Sequence, residues 1–149
     1  MRAIVQRVSS ANVVVEDRLV GQCGAGLCVL VGIHRDDVEQ NAATLADRLV
    51  KLRIFNDEAG KMNLALGDIP ASELPQILLI SNFTVYGDAA KSRRPSFTQS
   101  AGFDDGKILF DHLVKCVEAL GIRVKTGEFG ADMKVEIHND GPVTLIVEA

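Results

Sequence analysis

The chain has 149 residues, with 16 Lys or Arg against 20 Asp or Glu, for a formal net charge of −4. Apolar residues make up 47% and charged residues 24%, an ordinary globular mix that excludes disordered and fibrous architectures, and a chain of this length is expected to form one domain over residues 1–149 without metal or disulfide staples. The acidic balance excludes a protein that coats nucleic acid through a broad basic face, but not one that grips the end of an RNA.

In chain order, short strands are predicted at Ala3–Val8, Asn12–Val15, Leu19–Gln22 and Leu27–Ile33, separated by Ser9-Ser10, Glu16-Asp17 and Gly24-Ala25-Gly26. Asp36 is then placed to cap a helix with Glu39 three residues on, and Val38, Ala42, Leu45, Ala46, Leu49 and Leu52 supply its apolar stripe. The stretch from Asn56 to Pro75 is turn-rich and ends at Ile77-Leu78-Leu79-Ile80, short enough for a buried strand. Ser81 to Ser100 is a long polar segment, and loops longer than about 12–15 residues tend to be functional, so it is a candidate site. A second helix is predicted from Asp104 or Asp105, with Leu109, Leu113, Cys116, Val117 and Leu120 on one stripe and Gly121 ending it. A short strand near Ile122–Lys125 follows, then Met133–His138 with Met133, Val135 and Ile137 facing inward, and a last run at Val143–Val147. Two helices and seven or eight strands without repeat or linker indicate an α/β fold with a mixed sheet.

No stretch approaches the roughly 20 apolar residues of a membrane span, and charges stand in the opening residues where a signal peptide carries its apolar segment, so the chain reads as cytoplasmic with no membrane partner. Cys23, Cys28 and Cys116 are odd in number and lack C-x-x-C pairing, and are expected to be reduced, buried thiols. No nucleophile-and-base signature surrounds His34, His112 or His138, and no zinc spacing occurs, so a metal is not expected. Gly21–Gly26 lacks the G-K-[ST] ending of a phosphate loop and reads as a hairpin turn. The compact basic run Lys91-Ser92-Arg93-Arg94, with Asp88 near it, reads either as a solvated loop or as a phosphate contact. Two segments remain. Ser81-Asn82-Phe83-Thr84 follows a buried strand, where open α/β sheets tend to place ligands. Asn139-Asp140-Gly141-Pro142-Val143-Thr144, taken alone, has the composition of a turn.

These two segments, with Gln6-Arg7-Val8 and the run Thr126-Gly127-Glu128-Phe129-Gly130-Ala131-Asp132-Met133-Lys134-Val135, resemble the D-aminoacyl-tRNA deacylase family over essentially the whole chain. The family's Asn-x-Gly-Pro-x-Thr motif stands intact as Asn139, Gly141, Pro142 and Thr144, whereas its Ser-Gln-x-Thr motif reads Ser81-Asn82-Phe83-Thr84, with an amide one methylene shorter. The resemblance implies a partial barrel of mostly antiparallel strands with two helices, needing no cofactor. It also implies an esterase that frees a D-amino acid from the 3′-terminal adenosine of a transfer RNA. It further implies a homodimer with active sites at the interface, where a cis Gly141-Pro142 peptide enters the partner's site. On the same basis Ser81, Asn82, Phe83 and Thr84 form the catalytic segment, and Asn139, Gly141, Pro142, Phe129, Met133 and Arg7 serve substrate binding and chiral selection.

An enzyme that clears many D-amino acids has to read their shared atoms, because a pocket fitted to one side chain excludes others. Main-chain carbonyls of Gly141 and Pro142 suit that task, and glycine, lacking a Cβ, is expected to pass the same filter. Several points stay open at this level. Thr84 is either a nucleophile or a neighbour of a backbone oxyanion hole near Phe83 and Thr84 that the ribose hydroxyl assists. Phe129 and Met133 line an adenosine pocket or pack the core, and Arg7 holds the Gly-Pro loop or is a solvated strand residue. The competing functions are a non-catalytic RNA-end or protein-binding dimer and a hydrolase of some other small ester or peptide.

Overall fold

Apolar side chains alternate along Arg2–Val15, and these residues form one 14-residue strand, β1, at the centre of the computed structural model, which describes residues 1–70, 76–90 and 93–149. The remaining elements are β2 (Arg18–Cys23), β3 (Gly26–Gly32), α1 (Glu39–Lys51), β4 (Phe55–Asn56), β5 (Met62–Leu64), β6 (Ile77–Ser81), α2 (Phe103–Ala119), β7 (Val124–Thr126) and β8 (Lys134–Glu148). The main sheet runs β2-β1-β3-β6-β7, with β8 also on β1; β2, β3 and β8 are antiparallel to β1, while β3–β6 and β6–β7 are parallel. β1 is long enough for β3 to pair along Arg2–Val8 and β2 along Ala11–Val15 on one edge while β8 follows the other. A Cβ on Gly21 of β2 would lie 2.3 Å from the Thr126 carbonyl oxygen of β7, so the two main chains meet there and the sheet nearly closes into a barrel.

Strands β3 and β6 are buried on both faces, which explains their unbroken apolar runs. Leu27, Val29, Val31, Ile77 and Leu79 pack on Ala42, Leu45, Ala46 and Leu49 of α1 and on Leu109, Leu113 and Val117 of α2. The alternate residues Cys28, Leu78 and Ile80 join Val8, Ala11, Val13, Val15 and Cys23 in the barrel interior. Burial there pushes the Cys23 thiol up to about 11 and the Cys28 thiol up to about 12. The expected mixed sheet, partial barrel and two helices are therefore all present.

The structure corrects several local expectations. Ser9-Ser10 does not break β1 in two, and Asn139–Pro142 does not reverse the chain. Both lie where β1 and β8 fall out of register: between the pairs Val8↔Asn139 and Gln6↔Thr144, Arg7 alone faces residues 140–143. Pairing on both sides holds the ends of this segment in line, so turn-type residues form a bulge instead of a hairpin. Asp36 does not cap α1; the helix starts after extended Val38, whose N–H donates to Asn41 Oδ1 at 2.9 Å, while Asp37 accepts the His34 N–H at 2.6 Å. Val38 is consequently exposed and not part of the buried stripe, and Leu120 and Cys116 likewise sit at the margin of the α2 stripe. Cys116 is thus half-buried, unlike the other two thiols. α2 begins at Phe103 after Gly102, with Asp104 and Asp105 beside the positive end of its dipole, and it ends before Gly121 at φ +84°. The turn-rich stretch holds a small β4–β5 hairpin closed by Asp57 Oδ1, which accepts the N–H groups of Ala59 and Lys61 at 3.0 Å each. Pro75, Lys91 and Ser92 lie outside the described residues.

Candidate active site

The catalytic segment sits where β6 leaves the sheet. The Asn82 N–H donates to the Val31 carbonyl at 2.8 Å, extending the parallel pairing with β3 by one residue, and the chain then coils into a 3-10 turn over Phe83–Tyr86. Asn82 caps that turn with its own side chain: Oδ1 accepts the Thr84 N–H at 3.0 Å and the Thr84 hydroxyl at 2.6 Å. A main-chain N–H only donates, so the amide oxygen must face it, and the hydroxyl beside that oxygen must donate as well. The Thr84 proton is therefore committed to an amide oxygen, which is no base. The Thr84 N–H is committed too, which leaves the Phe83 N–H as the donor of this turn without a partner among the described residues. Ser100 Oγ donates to the Phe83 carbonyl at 2.8 Å and ties the end of the polar segment back to the turn.

Beside the turn lies a cavity of about 530 Å³. Ile80, Ser81, Asn82 and Phe83 form one wall, Phe129, Met133, Val135 and Ile137 another, and Phe103 and Gly106 of α2 contribute to a third. Phe129 is held edge to face against Phe103, ring centres 5.2 Å apart. Apolar walls with polar groups gathered at Ser81-Asn82 suit a flat apolar group whose polar end reaches the turn. Phe129 and Met133, open between pocket and core at the sequence level, line this cavity. Thr84 does not line it and touches the lining through its hydrogen bond to Asn82. The α2 residues Phe103 and Gly106 were not legible as site residues, because only the packing of α2 against Phe129 brings them there. Val135 and Ile137, which the alternation with Met133 turns inward, line the cavity too.

Asn139, Gly141, Pro142 and Arg7 form a separate assembly around the β8 bulge. Arg7 is buried, at 7% exposure, and its guanidinium donates to the Ile54 carbonyl at 2.7 Å and Asn56 Oδ1 at 3.3 Å and pairs with Asp140 Oδ2 at 2.9 Å. Asn139 Nδ2 donates to the carbonyls of Arg7 and Val143 at 2.8 and 3.0 Å, spanning the bulge from inside. Gly141 adopts φ +115°, and a Cβ there would lie 2.9 Å from Arg7 Nη2 and 2.8 Å from Val143 Cγ2. The Gly141–Pro142 peptide is cis, and both residues are exposed. None of residues 139–144 lines the cavity of the same chain.

Among the described residues no group of three His, Cys, Asp or Glu is arranged to hold a metal ion, and no helix is long and apolar enough to cross a membrane.

Residues 4–148 match the family model described as D-Tyr-tRNA(Tyr) deacylase. The chain is 48% identical over 149 residues to a D-aminoacyl-tRNA deacylase of Clostridium botulinum (strain Alaska E43 / Type E3), covering 100% of this chain and 97% of that one. It is 48% identical over 148 residues to a D-aminoacyl-tRNA deacylase of Pelobacter propionicus, covering 99% of each. Among solved structures it resembles a c-Myc DNA Unwinding Element Binding Protein at TM-score 0.90 and 32% identity, covering 100% of this chain and 99% of that one. A probable eukaryotic D-amino acid tRNA deacylase superposes at TM-score 0.82 and 20% identity over 99% and 98% of the chains, a likeness of fold.

Proposed function

This chain belongs to the D-Tyr-tRNA(Tyr) deacylase family, and from that premise we propose that it hydrolyses the ester between a D-amino acid and the 3′ end of a transfer RNA, proofreading chirality and clearing mischarged glycyl-tRNA as well. The observation that carries the reading is the juxtaposition of an apolar, aromatic-lined cavity with an unpartnered Phe83 N–H at its polar rim. The terminal adenine enters between Phe129 and Met133, and the ester carbonyl comes to the Phe83 N–H. Water adds to that carbonyl carbon, the Phe83 N–H stabilises the oxyanion, and the C–O3′ bond breaks as the ribose oxygen takes a proton. The neighbouring ribose hydroxyl assists the attack. The hydroxyl of Thr84 faces no base, so water and not Thr84 is the nucleophile.

Chirality is judged across a homodimer. The Gly141-Pro142 bulge is anchored from beneath by Arg7 and Asn139 yet exposed and outside its own cavity, as a group meant for a second subunit would be. Among the described residues β8 pairs with β1 alone, and it carries Leu145 and Ile146 exposed on its two faces, apolar surface that a long edge strand leaves uncovered in a single chain. In the partner's site the main-chain carbonyls of the bulge accept the ammonium, and an L substrate then drives its Cβ into them. Each factor of ten in selectivity requires about 1.4 kcal/mol, within reach of a steric clash combined with an unpaired ammonium.

Matched D-, L- and glycyl-tRNA at one salt concentration test this. Release from the D and glycyl esters with the L ester spared is the expected result. Loss of both enantiomers identifies a general esterase, no release identifies a binding protein, and cleavage of D but not glycyl esters overturns the steric account. Mixing Gly141→Val subunits with Asn82→Ala subunits checks the shared site, since only cross-subunit construction restores activity to the mixture.

A further inference from the structure

Phe83 and Phe97 make an aromatic pair at the mouth of the cavity, ring centres 5.0 Å apart at 74°, and both rings face solvent. Phe97 is seated on main chain: a Cβ at Gly87 would lie 2.8 Å from its Cε1, so the ring rests directly on the residue that ends the 3-10 turn. Its carbonyl accepts the Ser100 N–H at 3.0 Å. One residue before it, Asp88 and Ser96 exchange both main-chain hydrogen bonds, at 2.8 and 2.9 Å, which fixes the chain just ahead of Phe97, and exposed Arg93 lies three residues before that bridge. The far side of the mouth differs in charge. Phe103 is also exposed there, at 62%, but Asp104 and Asp105 follow it in the first turn of α2. A polyanion leaving the cavity is repelled by Asp104 and Asp105 at the start of α2, whereas on the Phe83–Phe97 side the carboxylate of Asp88 is offset by the guanidinium of Arg93.

We propose that Phe97 and Arg93 form an outer subsite for the penultimate nucleotide of the RNA 3′ end, its base stacked on Phe97 and its phosphate facing Arg93. The proposal rests on the cavity holding the terminal nucleoside, and it assigns the basic loop to single-stranded nucleotides next to the ester and not to a distant duplex. A flat aromatic face accepts any base, so the subsite adds affinity without restricting which transfer RNA is served. Stacking of this kind is worth about 1–3 kcal/mol per base, and its lower bound is roughly fivefold in KM.

The test compares two substrates, the D-aminoacyl ester of a CCA trinucleotide and that of adenosine alone, with wild type, Phe97→Leu, Phe97→Trp and Arg93→Gln. Wild type is expected to show a lower KM for the trinucleotide ester. Phe97→Leu should cut that preference about fivefold through KM with kcat retained, and Phe97→Trp should restore it. Arg93→Gln should flatten the salt dependence of the trinucleotide KM. Equal KM values for the two substrates in wild type, or a preference that survives both Phe97→Leu and Arg93→Gln, overturn the subsite while leaving the esterase reading intact. Failure of wild type to cleave either ester removes the esterase reading and the subsite with it.

Discussion

Asn82 shows what one methylene does at the scale of a residue. Its short amide closes on its own turn, taking both the N–H and the hydroxyl of Thr84. Thr84→Ala is therefore expected to keep kcat/KM for a D-aminoacyl ester within about tenfold of wild type, since it removes one capping bond of about 1 kcal/mol and no reacting atom. Complete loss of turnover in a folded Thr84→Ala protein would contradict this. Gly141 is the opposite case, a position where any added atom is costly. Gly141→Ala places a Cβ against Arg7 and Val143 at a φ that L residues rarely adopt, so it should lower D-ester turnover at least tenfold and lower stability by about 1–3 kcal/mol, measured by urea unfolding. The chemistry of Ser81–Thr84 was legible as a polar cluster after a buried strand. Its hydrogen bonds were not, because the side chain of Asn82 had equally good partners in principle on every neighbouring loop.

At the scale of the element, the β1–β8 pair determines the candidate specificity segment. The composition Asn139-Asp140-Gly141-Pro142 is that of a turn, and only the registered pairing on each side turns it into a bulge opposite Arg7. Arg7 joins three elements, reaching the Ile54 carbonyl, Asn56 and Asp140 at once. A lysine presents a point charge in place of that fork, so Arg7→Lys should not rescue the loss seen in Arg7→Leu, and each should destabilise by about 2–4 kcal/mol in urea. Asp140 is more than half exposed, so Asp140→Asn should cost only about 0.5 kcal/mol. A similar stability loss for Asp140→Asn and Arg7→Leu would show that the ion pair and not the buried fork holds the bulge.

On the scale of the whole molecule, the nearly closed sheet separates a core under the helices from a core inside the barrel. Leu79 belongs to the first and is fully buried, so Leu79→Ala should cost about 2–5 kcal/mol, read from the shift of the urea midpoint. The second core makes the protein sensitive to alkali. Burial raises Cys23 from 9.0 to about 11 and Cys28 from 9.0 to about 12, and burial together with the Asp37 charge raises Tyr86 from 10.0 to about 12. Above pH 9 the unfolded chain loses these protons while the folded chain keeps them. Stability is thus fully present below pH 9 and falls as pH rises toward 11–12. Urea midpoints from pH 8 to 11 should fall, and less steeply in Cys28→Ala. At pH 8 thiol reagents should reach half-buried Cys116 ahead of the other two.

The sequence alone determined the fold class, both helices with the Gly121 stop and the doubly buried strand at Ile77–Ile80, which follow from periodicity and residue type, properties that act over a few neighbours and leave a trace in any stretch of chain; the two motif segments were legible only through their resemblance to the family. Tertiary structure alone decided that Asn139–Pro142 is a bulge and not a hairpin, that Arg7 is buried beneath it, that α2 supplies Phe103 to the cavity, and that the bulge stands apart from its own chain's cavity. The bulge and its place depend on the register of β1 against β8, strands whose paired residues are more than a hundred positions apart, and the place of Phe103 depends on the packing of α2 against Phe129, contacts that no short stretch of chain encodes.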